Sequence, residues 1–144
     1  MSQAAGAVLL DTCAVIWLAN GDPLARQAAR RIVQAGLSGG VFVSPVSAWE
    51  VGMLGNPRGG RRALRFLPDP GEWFARVMAG PGIRSAALAS EIAVDASYLP
   101  GDLHGDPADP LLIATARHLG VPIVTRDTKI TAYAGQGFVQ AIAC

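Results

Sequence analysis

Short apolar runs alternate along the chain with stretches that repeat at helical spacing. The runs "AVLL" (7–10), "GVFVS" (40–44), "IRSAAL" (83–88), "VPIVT" (121–125) and "FVQAI" (138–142) have strand length and lack a strict apolar/polar alternation. This is the pattern of strands buried on both faces. Helical stretches lie between them, with good punctuation. In "GDPLARQAARRIVQAG", Asp22 is the expected N-cap, Pro23 the first helical residue and Gly36 the residue that closes the helix. Leu24, Ala28, Ile32 and Ala35 share a face there, with Arg26, Arg30 and Arg31 largely off it. "PDPGEWFARVMAG" repeats the Asp-Pro start at Asp69 and Pro70, and "SEIAVDASYL" and "ADPLLIATARHLG" supply two later helices. The alternation predicts an α/β fold with a central parallel sheet of about five strands flanked by helices. At 144 residues, without repeats or linkers, the chain reads as one domain over 1–144.

Chemistry in such sheets gathers beyond the carboxyl ends of the strands. Asp11 follows "VLL" and Asp127 follows "PIVTR", so both stand just past a predicted strand. Glu50 lies one turn into the helix after the second strand, and Asp109 precedes the apolar run "LLIATA". Each has an ordinary alternative. Asp11 and Asp127 fit N-caps, Ser47 to Glu50 fits a capping box, and both Asp106-Pro107 and Asp109-Pro110 fit a helix start. Convergence changes the balance. Two carboxylates about 5 Å apart repel by roughly 3 kcal/mol at an effective dielectric near 20, a penalty that Ser, Thr or Asn caps would avoid. A hard divalent cation such as Mg²⁺ or Mn²⁺ accounts for gathered acids. His104 and His118 are isolated, so no zinc-type constellation competes.

Composition adds little and charge adds one feature. Half the residues are apolar, yet no run reaches the length of a membrane span. The first residues lack a basic stretch ahead of their apolar one, which argues against a signal peptide. Cys13 and Cys144 have no metal or framework spacing and read as reduced thiols of a cytoplasmic protein. Net charge is +1, but residues 26–65 hold seven arginines against the single acid Glu50. That stretch is a candidate phosphate-binding surface, with Arg58, Arg61 and Arg62 at its centre. The alternative is a solvated surface.

Taken in order, "LLDTCAVIWL", "VSPVSAWEVGML", "LHGDPADPLLIATA" and "PIVTRDTKITAY" resemble the motif blocks of PIN-domain proteins. The likeness is greatest to VapC-type toxins of prokaryotic toxin–antitoxin pairs and spans residue 8 to about 133. It implies a PIN-like fold and an Mg²⁺- or Mn²⁺-dependent endoribonuclease. Asp11, Glu50, Asp109 and Asp127 would be the catalytic, metal-holding acids, with Asp106, Thr12 and Thr125 assisting. It further implies an RNA substrate, a homodimer, and a cognate antitoxin that inserts a basic residue into the acidic pocket. Many relatives have arginine after the third acid, where Pro110 stands here. Other readings fit less well. A receiver-like module wants an adjacent acidic pair after the first strand, but Thr12 and Cys13 follow Asp11. An acid-pocket phosphatase wants Asp-x-Asp. An inactive PIN domain that binds RNA or protein remains the alternative.

Overall fold

The computed structural model describes residues 6–58, 62–103 and 106–144. The elements run β1 (Val8–Leu10), α1 (Thr12–Asn20), α2 (Arg26–Leu37), β2 (Val41–Val43), α3 (Pro45–Leu54) and α4 (Pro70–Met78). They continue with β3 (Ile83–Ser85), α5 (Ser90–Ala96), α6 (Ala108–Leu119), β4 (Ile123–Thr125), α7 (Thr128–Gly135) and β5 (Ala141–Ala143). The strands form one sheet in the order β3-β2-β1-β4-β5, and every pairing is parallel. The expected five-stranded α/β architecture is therefore present.

Alternation along β1 sends Val8 and Leu10 to one face and Leu9 to the other. Val8 and Leu10 pack with Val15, Ala28, Ile32, Val41, Val43 and Val124. Leu9 packs with Leu112, Ile113, Ile123, Ile130 and Tyr133. Both faces of β1 are covered, which is why this strand is apolar at every position. The chain moves outward on one side of β1 to reach β2 and β3, then crosses to β4 and β5 on the other. The crevice at the β1–β4 boundary is thus the topological switch point, where ligands of open α/β sheets bind.

Several helix ends differ from the sequence expectation. The second helix starts at Arg26, with Ala25 preceding it and no side-chain cap, rather than at Asp22-Pro23. Long-range bonds hold residues 22–25 out of the helix. The Ala25 N–H donates to the Cys144 carbonyl at 3.2 Å, and Arg126 donates to the Pro23 carbonyl at 3.4 Å. Gly36 lies inside α2 and does not close it. It is Gly82, at φ +77°, that must lack a side chain here, because a Cβ on it would fall 2.7 Å from the Gly36 Cα. Asp69 does cap α4, accepting from the Glu72 N–H at 2.9 Å. The last strand sits at 141–143, beyond the "FVQ" expected to open it.

Candidate active site

Two of the four acids cap helices at the carboxyl edge of the sheet. Asp11 caps α1 and accepts from the Ala14 N–H at 2.8 Å. Its Oδ2 accepts from the Thr125 hydroxyl at 2.5 Å, and that hydroxyl accepts from the Asp127 N–H at 3.0 Å. Asp127 caps α7 through the Lys129 N–H at 2.8 Å. Thr125 therefore stitches the ends of the neighbouring strands β1 and β4 together. Beside it, Arg126 lies over the Trp17 ring at 3.8 Å and donates to the Cys144 carbonyl at 2.7 Å. Nothing in the sequence pointed to that contact.

The third acid comes from α3. Ser44 caps this helix through the Val46 N–H at 3.0 Å, with Pro45 as the first helical residue. The capping box expected from Ser47 to Glu50 is not formed. Ser47 instead points at Thr12, with 3.0 Å between the hydroxyl oxygens, and Thr12 donates to the Glu50 carboxylate. Ser47 lies one turn before Glu50 on the same helix face, a spacing that could have drawn it into the site from sequence.

The two Asp-Pro pairs divide the work. Helix α6 begins at Ala108, so the first pair starts it and Asp109-Pro110 does not. Asp106 accepts from the Ala108 N–H at 2.8 Å, and its carbonyl accepts the Asp109 N–H at 3.1 Å. Pro110 is the third helical residue, still in the first turn, where a missing N–H breaks no helical bond. Asp109 is released from capping. It is only 8% exposed, and its Oδ2 is buried without a hydrogen-bond partner among the described residues.

The electrostatics carry the same message. Burial raises the Asp109 carboxyl to about 7, and the charges of Asp127, Asp106, Glu50 and Asp11 add to the effect. Burial also raises Asp11 and Glu50, each opposed in part by its threonine hydroxyl. Burial, with the charges of Asp11, Glu50 and Asp127 adding to it, pushes the Cys13 thiol up to about 11. The acids thus sense one another across the pocket, yet among the described residues no three close on a common point at metal-ligand spacing. The arrangement is open. Every donor in it is oxygen, and a buried carboxylate oxygen lacks a partner. That set fits a hard cation that keeps several waters.

Arg58 and Arg62 are exposed on the segment between α3 and α4, and Arg61 lies outside the described residues. The cation that acts on Asp11 is Arg126. His118 stands 2.5 Å from Asp95 and links α6 to α5, while His104 lies outside the described residues.

Residues 8–136 match the PIN domain family. The chain is 28% identical over 127 residues to Ribonuclease VapC22 of Mycobacterium tuberculosis, covering 88% of this chain and 91% of that protein. Its fold resembles that of VapBC2 from Rickettsia felis, solved bound to a promoter DNA fragment, with a TM-score of 0.63 at 9% identity. That likeness covers 95% of this chain and 98% of the other. VapBC-1 of nontypeable Haemophilus influenzae gives 0.61 at 14% identity over 95% and 97%. At such identities the solved structures speak for the fold, and the family match extends over nearly the whole sequence: the chain belongs to the PIN domain family.

Proposed function

We propose that this protein is a divalent-metal-dependent endoribonuclease and the toxin of a toxin–antitoxin pair. The observation that carries the reading is the Oδ2 of Asp109, buried and without a hydrogen-bond partner among the described residues, on a carboxyl that also feels the charges of Asp127, Asp106, Glu50 and Asp11. Repulsion of that kind is retained when the site binds a cation. Asp11 and Asp109 would hold Mg²⁺ or Mn²⁺ directly, with Glu50 and Asp127 completing the set directly or through waters. What a divalent cation supplies at such a site is Lewis acidity towards a phosphate oxygen and a more acidic water. The chain's own groups do the positioning. Thr125 fixes Asp11, and Thr12 fixes Glu50, so two carboxylates are oriented before any substrate arrives. Hydrolysis adds water across a P–O bond of the RNA, and the leaving oxygen takes a proton.

The similarity to Ribonuclease VapC22 supports the reaction, and the VapBC structures support an antitoxin partner. A groove of about 450 Å³ is lined by Leu10, Val15, Leu18, Trp73, Val77 and Ile83, and Leu10 immediately precedes Asp11 in the chain. It suits the apolar residues of an antitoxin tail whose Arg or Lys enters the acidic pocket. A homodimer in the cytoplasm completes the reading, and no helix among the described residues is long and apolar enough to cross a membrane. One observation favours a second reading, an inactive PIN domain that binds RNA or protein: no three described acids stand at ligand spacing. The two are separated by incubating purified protein with structured RNA. Cleavage in Mn²⁺ or Mg²⁺ that stops in EDTA is expected. Undiminished cleavage in EDTA would overturn the metal mechanism, and none in either metal would favour the binding module.

A further inference from the structure

We infer that Ser47 is a positioning residue for Glu50, acting through Thr12, and that it thereby tunes the affinity of the acidic pocket for a divalent cation. The inference rests on the reading that Glu50 helps to hold the cation. Ser47 is completely buried in α3, and Thr12 is 5% exposed at the start of α1. A hydroxyl carries one proton. Thr12 gives its proton to the Glu50 carboxylate, so in the 3.0 Å contact between the hydroxyls Ser47 is the donor. The result is a polarised chain, Ser47 to Thr12 to Glu50, in which each bond strengthens the next.

Local needs of the helix do not account for Ser47. The N-cap is Ser44, which already accepts the Val46 N–H. Ser47 is the third residue of α3, and the carbonyl one turn before it, that of Val43, already accepts from the Ala86 N–H. A buried serine or threonine deeper in a helix can turn its proton back to such a carbonyl. Thr115 does so in α6, donating to the Leu111 carbonyl at 2.7 Å. Ser47 makes no such bond among the described residues and spends its proton on Thr12. Alanine is the better helix former by a few tenths of a kcal/mol, so helix stability alone does not favour serine here. What the serine achieves is to fix the proton direction of a hydroxyl on another helix, and through it the orientation of one carboxylate.

The test is Mn²⁺ binding, measured by calorimetry and by the electron paramagnetic resonance of free Mn²⁺, at pH 8. Ser47→Ala should weaken binding roughly tenfold, the lower end of what outer-shell partners of a metal site contribute. Thr12→Val should weaken it at least as much. The double variant should match Thr12→Val alone, because Ser47 acts through Thr12. Unchanged affinity in Ser47→Ala, or effects that multiply in the double variant, would overturn the proposal. Should Ser47→Ala fail to fold, Ser47→Cys carries the test, since it keeps the shape but donates poorly; affinity equal to the unsubstituted protein would again overturn it. Glu50→Gln separates the two levels. If it weakens Mn²⁺ binding and Ser47→Ala does not, only the positioning role fails. If Glu50→Gln leaves binding intact, Glu50 is not a ligand and both readings fall.

Discussion

Asp106 and Asp109 stand three residues apart on one acidic segment, and the backbone gives them opposite tasks. Asp106 spends its carboxylate on the first turn of α6, whereas Asp109 keeps a buried oxygen unsatisfied. The Asp109 carboxyl lies near 7 in the folded chain and near 3.8 when unfolded. Between those values the folded state holds a proton that the unfolded state has lost. Stability of the metal-free protein should therefore fall as pH rises from about 4 to about 7, then level off as far as this group is concerned. Asp11 and Glu50 are shifted in the same direction and add to the fall. Asp109→Asn should abolish cleavage, flatten the decline and melt above the unsubstituted protein at pH 8 in EDTA, the two converging near pH 4. Thermal melts across that range check it, and a lower midpoint for the variant at pH 8 would refute the repulsion argument. Asp11→Asn should gain less, because it sets an amide donor against the Thr125 hydroxyl.

Among the elements, α6 supplies the matching prediction with the opposite sign. Removing the Asp106 side chain frees the Ala108 N–H, and losing such a cap costs about 1 kcal/mol, or about 2–4 °C in a chain of this size. Asp106→Ala should thus lower the midpoint while Asp109→Asn raises it; two changes of the same sign would mean that the capping roles are misassigned. The same helix shows what was legible in the sequence. Both Asp-Pro pairs satisfied the rules for a helix start, and local chemistry alone had no means of ranking them. The strands were readable because burial on both faces makes a run such as "AVLL" unlike anything amphipathic. The start of α2 was not, since Asp22 and Pro23 form an ideal N-terminus that is overruled by Cys144 and Arg126, residues from the far end of the chain. Asp11, Asp109 and Asp127 were proposed together from sequence because each follows a strand or stands at a helix start on the same sheet edge, whereas Glu50 joins them from within α3. Their hydroxyl partners were only half legible. Thr12 and Thr125 adjoin an acid in sequence or nearly so, but the Ser47 to Thr12 contact and the stacking of Arg126 on Trp17 exist only once β1, β2 and β4 have paired.

Over the whole molecule, charge is sorted by place. The arginines of residues 26–65 are nearly unopposed in sequence, while Asp127, Asp106, Glu50 and Asp11 all act electrostatically on Asp109. On the proposed reading, an RNA substrate would meet both regions, with phosphates on the arginine-rich stretch and one phosphate among the acids. Binding of RNA by Asp109→Asn should therefore weaken steeply with salt. Reversing Arg58 and Arg62 to glutamate should lower the slope of log affinity against log salt by roughly 1.4 if each contacts one phosphate of a single strand. An unchanged slope would leave those arginines as solvated surface. The acidic crevice and the apolar groove beside it impose a different demand on a protein inhibitor. A tail lying in the groove gains affinity from its apolar residues at Leu10, Val15, Trp73 and Ile83, and that gain must offset the entropy of ordering it. At Asp11, the residue after Leu10, such a tail would face carboxylates already raised by burial and mutual repulsion. An inserted guanidinium would relieve that repulsion as a cation does, and its fork matches a carboxylate in bidentate fashion. Affinity and inhibition would then reside in different residues of the tail. Replacing the inserted Arg or Lys by Ala should restore Mn²⁺-dependent cleavage while the two chains still co-elute in gel filtration. Replacing the apolar residues should instead separate the chains. If cleavage stays fully blocked in the intact complex after the basic residue is removed, the partner inhibits by covering the crevice rather than by competing for its acids.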